Sequence, residues 1–400
     1  MPVDLRALPE QITLSPPPRK GRWCLFTLLC LLLGASLVVL LWPADLQRMT
    51  LWFWCCAVIF PVVCGLLLFA FRLLAYERQQ QFAQSWNQSR AEQAQALIQH
   101  GQRAIAVLAT SYCTPAGIAQ LARALRNGIK PLQPVYLKQW LTTLRLSQLV
   151  PETQNHSKKD YERRLAKLLE QVFVGFGGEL QRFAGLAPLR LRIRHNQVLS
   201  DAEILSLWRA CSTDQMVPDH VVFAEGDGAD GLLWLDSWLD EPEPFALALS
   251  LEINVFQAPV ADQAESVSAV LLAPSEFCTR HQLAPMAWVH RPVLMTTETT
   301  ALQDALLWGR VDERCKPCFV WRTQVPRNLF NDVRRAMTVA EHPVDIDSMQ
   351  VLDDSFGLPA SAVGNISLIV ASEQAASDRK PQLVMLQDQS AQWCVVQPTV

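Results

Sequence analysis

Two apolar stretches decide the fold class of this chain: "FALALSLEINVF" at residues 245–256 and "SVSAVLLAP" at residues 266–274. Both have the length of a β-strand, and both are apolar at nearly every position. A strand that is apolar on both faces is typical of a sheet covered on both sides by other elements. The sequence therefore predicts a buried sheet.

Strands and helices alternate on either side of these stretches. "LRLRIRH" at residues 189–195 alternates with the period of a half-buried strand. Ser200 with Glu203 forms the capping-box pattern that begins a helix. Further strands are predicted at residues 103–110, 220–225, 365–372, 382–388 and 393–397. Helices are predicted at residues 114–128, 161–173, 199–211, 300–311 and 327–342. The pattern indicates an α/β or α+β domain.

Two uncharged runs near the N-terminus have the length of membrane spans. Residues 23–42 and residues 51–71 contain no charged side chain, and a helix of about 20 apolar residues crosses the hydrocarbon core of a bilayer. Tryptophans stand near the ends of both runs, where headgroups favour them. Pro61 lies inside the second run, where a membrane helix tolerates it. We therefore predict a transmembrane hairpin, with the lipid bilayer as a partner.

Basic residues beside the spans predict the orientation. Arg19, Lys20 and Arg22 precede the first span, whereas the connecting loop at residues 43–50 holds only Arg48. The positive-inside rule then places both termini in the cytoplasm of a bacterium, in a multi-pass protein of the inner membrane. The predicted order is a tail at 1–22, span 23–42, periplasmic loop 43–50, span 51–71, juxtamembrane helix 72–101 and cytoplasmic domain 102–400, with two lobes divided near residue 244.

Cysteine usage and charge agree with a cytoplasmic domain that does not bind nucleic acid. The chain has 11 cysteines without regular spacing, which suits a reducing compartment. It carries 35 basic and 38 acidic residues, and the acidic excess lies beyond the spans. A mildly acidic domain gives no electrostatic reason for nucleic-acid binding.

Two short motifs match functional patterns in letters only. "GDGADG" at 226–231 has dinucleotide-loop spacing, but no clear helix follows and its two aspartates would repel a pyrophosphate. An acidic turn is favoured, and a calcium loop lacks its frame and distant Glu. "CKPC", Cys315 to Cys318, has redox-motif spacing, but a strand-like run follows it and no second ligand pair stands nearby for zinc. The seven histidines form no ligand pair. The sequence thus identifies no catalytic residue, cofactor or metal site.

One acidic stretch carries a binding hypothesis. Residues 225–243 contain seven acidic residues and no basic one. A solvated loop or edge strand is one interpretation. The other is a partner-binding surface, because exposed tryptophans are common binding anchors. If the stretch is a strand, Trp234, Asp236 and Trp238 would share one of its faces. If both tryptophans face inward, they would stabilise the fold instead of binding a partner. The candidates are Trp234, Asp236, Trp238, Asp240 and Glu241.

Segments of the chain resemble known families. "RLLAYERQQQFAQSWNQ" and "AIAVLATSYCTPAG" are similar to membrane proteins of type VI secretion gene clusters in enterobacteria. "LLWLDSW", "FALALSLEINVF" and "SVSAVLLAP" resemble the type VI lipase adaptor family, in which the last two would be paired strands of a thiolase-like plan. A thiolase's working Cys and His residues cannot be placed here. The resemblance implies an accessory or adaptor role among secretion-system or effector proteins. The alternative is a membrane-tethered enzyme on an α/β scaffold with an unidentified active site.

Overall fold

The computed structural model divides into two compact units, residues 3–97 and residues 98–400 with the first two residues. It describes residues 3–43, 50–138, 140–150, 157–176, 178–212, 218–225, 230–241, 246–296, 299–311, 318–339 and 344–399.

The first unit contains α1 at Lys20–Leu41 and most of α2 at Leu51–Gly101, the two helices long and apolar enough to cross a membrane in the described part of the chain. Helix α2 continues well beyond its apolar part, and its residues Cys55–Ile59 form one π-helical turn. This turn directly precedes Pro61, whose missing N–H disturbs the helical ladder. A Cβ atom on Gly34 would lie 2.3 Å from the Pro61 side chain, so glycine permits the close approach of the two helices.

The second unit is built on a large mixed sheet. Its strands are β1 Ala104–Cys113, β4 Leu189–His195, β5 His220–Phe223, β6 Leu247–Asn254, β7 Ser266–Pro274, β8 Ala287–His290, β9 Val293–Leu294, β10 Cys318–Thr323, β11 Val344–Val351, β12 Gln382–Gln387 and β13 Ala391–Pro398. A separate hairpin consists of β2 Gln133–Leu137 and β3 Thr142–Leu146. The expected α/β class is confirmed.

The remaining helices cover the sheet. They are α3 Leu121–Arg126, α4 Lys158–Phe176, α5 Glu179–Ala184, α6 Asp201–Cys211, α7 Leu233–Leu239, α8 Ser275–His281, α9 Thr299–Trp308, α10 Arg327–Val339, α11 Leu352–Ser355 and α12 Val363–Asp378. The predicted capping box of Ser200 and Glu203 begins α6.

The sheet contains a structural repeat that the sequence does not reveal. Its order is β11-β10-β12-β13-β8-β1-β7-β6-β4-β5. One half consists of β1, β4, β5, β6 and β7, and the other consists of β8, β10, β11, β12 and β13. When the five strands of each half are numbered 1 to 5 in chain order, both halves have the order 3-2-4-5-1 from the outer edge of the sheet inward. In both halves the fifth strand runs antiparallel to its two neighbours, and the fourth, second and third are parallel. The two repeats of this strand order meet between β7 and β8 in the chain. The predicted division into two lobes near residue 244 stays a prediction, since residues 98–400 form one compact unit.

Helices α7 and α12 hold equivalent places in the two halves, each between the third and fourth strands. Side chains from both helices share one core cluster with strands of both halves, including Leu235, Ile366, Val270 and Val384. Helices α4 and α6 contribute to a second cluster on the other face of the first half. The start of α12 approaches the start of α7 closely, because a Cβ on Gly364 would lie 3.1 Å from the carbonyl oxygen of Gly231.

Two predicted elements differ from the structure. Residues 365–372, expected as a strand, lie within α12, and all eight of them are buried. The helix expected at 114–128 shortens to α3, because Glu373 and the Tyr112 hydroxyl accept hydrogen bonds from its first backbone N–H groups. Both differences come from packing, which a local pattern does not contain.

Candidate functional site

A polar cleft of about 580 Å³ lies where four strands end. Strands β4 and β5 come from the first half, and β10 and β12 come from the second. Ligands of α/β proteins commonly bind at the carboxyl ends of strands. The lining residues are Arg194, His195, Gln197, Ala224, Glu225, Gln324, Ala360, Ser361 and Asp388.

Gln324 and Ser361 form a fixed wall of the cleft. The Gln324 backbone N–H donates to Asp353, and its side chain binds the backbone carbonyl of Gln387 and the backbone N–H of Ala360. The Ser361 hydroxyl lies 2.7 Å from the carbonyl oxygen of Ile253. These bonds hold the turn before α12 against the ends of β10 and β6. Both side chains therefore position the backbone of the site.

Arg194 and Asp388 supply the charge of the cleft. Their side chains form an ion pair at 2.6 Å, with 11% and 14% of the two side chains exposed. The backbone N–H of Gly231 also donates to Asp388 at 2.9 Å. The other terminal nitrogen of Arg194, Nη1, is buried and has no hydrogen-bond partner among the residues that the structure describes. A buried donor without an acceptor lowers the stability of the fold by about 1–3 kcal/mol. A bound ligand that offers an acceptor to this nitrogen would remove that cost.

His195 is held in one tautomer and is committed on both ring nitrogens. Its Nε2 lies 2.8 Å from Asp201, and its Nδ1 accepts from the backbone N–H of Gln197 at 3.2 Å. Its side chain is only 2% exposed. His195 therefore shapes the turn after β4 and offers no free nitrogen for proton transfer.

A buried ion pair lies behind the cleft at the start of α12. Glu252 accepts a hydrogen bond from the backbone N–H of Asn365 at 2.8 Å and pairs with Arg192 at 3.1 Å. A carboxylate at a helix N-terminus is stabilised by the helix dipole. The Arg192 guanidinium lies 4.7 Å from the ring centre of Trp234, and burial lowers the pKa of Arg192. This pair fixes α12 against β6 and β4.

The predicted partner-binding residues lie on and just after helix α7, so the expected strand face is wrong. Trp238 is 3% exposed, and Trp234 packs against the same core. Asp236 and Asp240 both bind the buried Arg291, and Glu241 pairs with Arg190 at 3.0 Å. These five residues hold the fold together, and inward-facing tryptophans are the outcome that occurs.

The other motifs lie largely outside the described residues or carry no site. Of "GDGADG", residues 226–229 are outside the description, and Asp230 is buried against Gln392 and residues 389–390. Cys315 also lies outside it, and Cys318 begins β10. Within the described ranges no group of three His, Cys, Asp or Glu could hold a metal ion.

Three buried cysteines of the second unit, Cys113, Cys278 and Cys394, are unsuited to act as nucleophiles. Burial raises the pKa of Cys113 and Cys278 to about 11 and that of Cys394 to about 12. None of the described cysteines is among the residues that line the cleft. Reactive cysteines normally have a lowered pKa, so these three act as apolar core residues.

Burial gives His290 a pH-dependent effect on stability. Burial lowers the pKa of His290 to about 4. Because the pKa of His290 is lower in the folded protein than in the unfolded chain, the neutral side chain stabilises the fold fully above pH 6.5. This contribution to the free energy of unfolding is lost as the pH falls. We expect the free energy of unfolding to drop by about 3 kcal/mol from pH 6.5 to pH 4 through this group. Denaturant titrations at several pH values measure it, and His290→Asn should remove that part of the slope. An equal slope in both proteins would contradict the assignment.

Comparisons with known proteins identify the fold. No protein-family model and no curated protein matches the chain. A β-ketoacyl synthase from Burkholderia phymatum matches with 10% identity and a TM-score of 0.50, over 74% of this chain and 100% of that one. A ketosynthase of the bacillaene polyketide synthase from Bacillus amyloliquefaciens matches with 10% identity and a TM-score of 0.51, over 74% of this chain and 73% of that one. The second unit therefore has a thiolase/ketosynthase-like α/β fold.

This similarity corrects the functional interpretation. The expected role as a secretion-system adaptor that acts through protein–protein contacts is wrong, because the scaffold is shared with ketosynthase enzymes. The resemblance to proteins of type VI secretion gene clusters stays a prediction, as does the absence of nucleic acid among the partners.

Proposed function

We propose that this protein is a membrane-anchored enzyme that acts on an acyl substrate in the cleft before helix α12. The Nη1 of Arg194 carries the proposal, because it has no hydrogen-bond partner among the described residues and an acyl carbonyl oxygen would supply one. Fixed N–H donors stabilise the negative charge that develops on such an oxygen during reaction. The fold shared with ketosynthases supports the choice of an acyl group.

The surroundings of Arg194 support a preorganised donor. Asp388 holds the guanidinium through Nη2, and Gly231 holds Asp388 in turn. A donor fixed by its neighbours before the substrate arrives needs little reorganisation during the reaction. The polar wall of Gln324 and Ser361 gives the reacting end of an acyl substrate a rigid frame.

The test measures thiol release from a panel of acyl-coenzyme A esters by the full chain in lipid nanodiscs. We expect Arg194→Gln to lower the rate about 100-fold, the usual cost of losing one such donor. The double variant Arg194→Gln with Asp388→Asn should be equally slow and fully folded, because it leaves no unpaired carboxylate. Arg209→Gln, on the exposed face of α6, serves as the control. Absence of turnover in the native chain, or an unchanged rate in Arg194→Gln, would refute this role.

The proposed location is the bacterial inner membrane, with both termini in the cytoplasm. The basic residues before α1 support this orientation. The tail also binds the polar part of α2, since Asn87 exchanges two 2.9 Å hydrogen bonds with the Ile12 backbone. A tail bound beyond the second apolar run fits a hairpin whose ends share one side of the bilayer.

Reporter fusions test this topology. A periplasm-active reporter inserted after Arg48 should be active, and the same reporter fused at Val400 should be silent. The reverse pattern would place the domain in the periplasm and exclude the proposed orientation.

A further inference from the structure

The hairpin β2–β3 stands apart from the main sheet. Its two strands pair with each other from Gln133 with Leu146 to Leu137 with Thr142, and they form a separate two-stranded sheet. Its base is fixed, because the Arg145 carbonyl accepts from the backbone N–H of Asp262 and the two side chains pair at 2.6 Å. The base therefore holds the tip in a set position on the domain.

The tip of this hairpin exposes large apolar side chains. Tyr136 is 57% exposed, Trp140 43% and Leu141 80%, and Lys138 between them is also exposed. An isolated two-stranded hairpin normally needs a covered apolar face for its stability. Here three large apolar side chains are exposed within six residues, which a water-soluble hairpin would avoid.

The backbone at the tip adds a second sign of function. Leu141 has a φ of +50°, a left-handed conformation that side chains other than glycine, asparagine and aspartate rarely adopt. Backbone in such a region is retained where the surrounding structure requires it, often at binding sites. The strain presents one of the most exposed leucines of the domain at the turn.

The charged side chains of the hairpin itself are Lys138 and Arg145. No acidic residue occurs between Glu92 and Glu152, although the domain as a whole is acidic. Within residues 114–150, Asp262 neutralises only one of the basic side chains among the described contacts. The basic residues of this stretch are Arg123, Arg126, Lys130, Lys138 and Arg145. Among the described contacts, Lys138 at the tip is therefore the basic side chain of the hairpin that has no acidic partner.

We infer that the tip of the β2–β3 hairpin inserts into the headgroup region of an anionic lipid bilayer, independently of the two spans and of the proposed enzyme activity. Trp and Tyr favour this region because one end of each ring is apolar and the other polar. A lysine near the surface of an anionic leaflet contributes about 1 kcal/mol. The spans belong to the same chain, so they keep the bilayer at a high effective concentration.

The chemistry favours lipid over a protein partner. A protein-binding surface usually offers pockets and paired polar groups around its apolar centre. This tip is a narrow projection with aromatic, leucine and lysine side chains, which matches the composition of interfacial membrane anchors.

Hydrogen exchange of the full chain in nanodiscs tests the inference. The amides of residues 133–146 should exchange several-fold more slowly in discs with anionic phosphatidylglycerol than in discs of phosphatidylcholine alone. Lys138→Gln should lower the ratio of docked to free hairpin roughly fivefold. The double variant Trp140→Ser with Leu141→Ser should abolish the protection in both lipids. High salt should reduce the difference between the two lipids.

Controls separate lipid binding from other causes. Val174→Ser removes an equally exposed apolar side chain from α4 and should change nothing. Exchange in amphipol, without lipid, should be the same for all variants, which shows that the hairpin itself remains folded. Equal exchange in anionic discs, neutral discs and amphipol would overturn the inference. Protection that rises with protein concentration would also overturn it, because it would indicate a protein contact.

Discussion

Replacing Arg291 with methionine should lower the free energy of unfolding by about 3–5 kcal/mol, the cost of leaving buried charges without their partner. The Arg291 side chain is 0% exposed, and it binds both Asp236 and Asp240. Burial raises the pKa of Asp236. Burial also opposes ionisation of Asp240, but Arg291 and His100 outweigh it and lower the pKa of that carboxyl group. Without the guanidinium, Asp236 would lose the cation that offsets its burial, and Asp240 would keep only His100 and Arg103 among its described partners.

A charge-neutral variant distinguishes lost charge pairing from lost packing. Arg291→Met combined with Asp236→Asn and Asp240→Asn removes the ion cluster while nearly keeping its shape. Replacing a buried ion cluster as a whole is often close to neutral, so the triple variant should recover most of the loss. Denaturant unfolding of the full chain in nanodiscs measures both effects. A triple variant no more stable than Arg291→Met would show that packing, not pairing, is the cause.

Replacing Trp238 with alanine should cost about 3–5 kcal/mol of folding stability, as for other large buried aromatic residues. Trp238 is 3% exposed in the core cluster shared by both halves of the sheet. Its ring stacks on Trp234 at 6.0 Å between ring centres. The substitution would leave a cavity between α7 and the sheet, which the rigid elements around it would fill only in part.

The matched control is Trp140→Ala at the exposed hairpin tip, which should change stability by no more than about 0.5 kcal/mol. The midpoint of denaturant unfolding compares the two variants with the native chain. Similar losses from both substitutions would mean that Trp238 is not the packing residue its burial indicates. A Trp238→Ala protein that is folded and as stable as the native chain would show that α7 does not pack into the core through Trp238.

The sequence by itself determined the elements whose pattern is local. The uncharged runs predicted the two candidate spans, because spanning length and lack of charge are properties of a single segment. The continuous apolar strands β6 and β7 predicted a covered sheet, and the alternation of β4 predicted its strand. Ser200 and Glu203 predicted the start of α6, because both capping-box partners lie within one turn.

Only the tertiary structure decided helix α12. Residues 365–372 are apolar without a period, and a short run of this kind does not distinguish a buried strand from a buried helix. The run forms a helix that packs against strands of both halves of the sheet. Because this helix is buried, it has no polar face, and its sequence therefore lacks the helical period. The duplicated strand order could not be predicted from the sequence either. Two halves can share one strand order although their residues differ, because different apolar side chains pack equally well in the same arrangement.

The candidate site also depended on tertiary structure. Arg194 follows a pattern of alternating arginines in β4, and nothing local distinguishes it from Arg190 or Arg192. Its role arises because Asp388, almost 200 positions later, holds one of its nitrogens, while the other has no hydrogen-bond partner among the described residues. Likewise the sequence around Trp238 indicates an acidic surface, whereas in the structure Asp236 of this stretch pairs with the buried Arg291. Patterns within one segment record what that segment buries, whereas the partner of a buried charge is chosen by the fold.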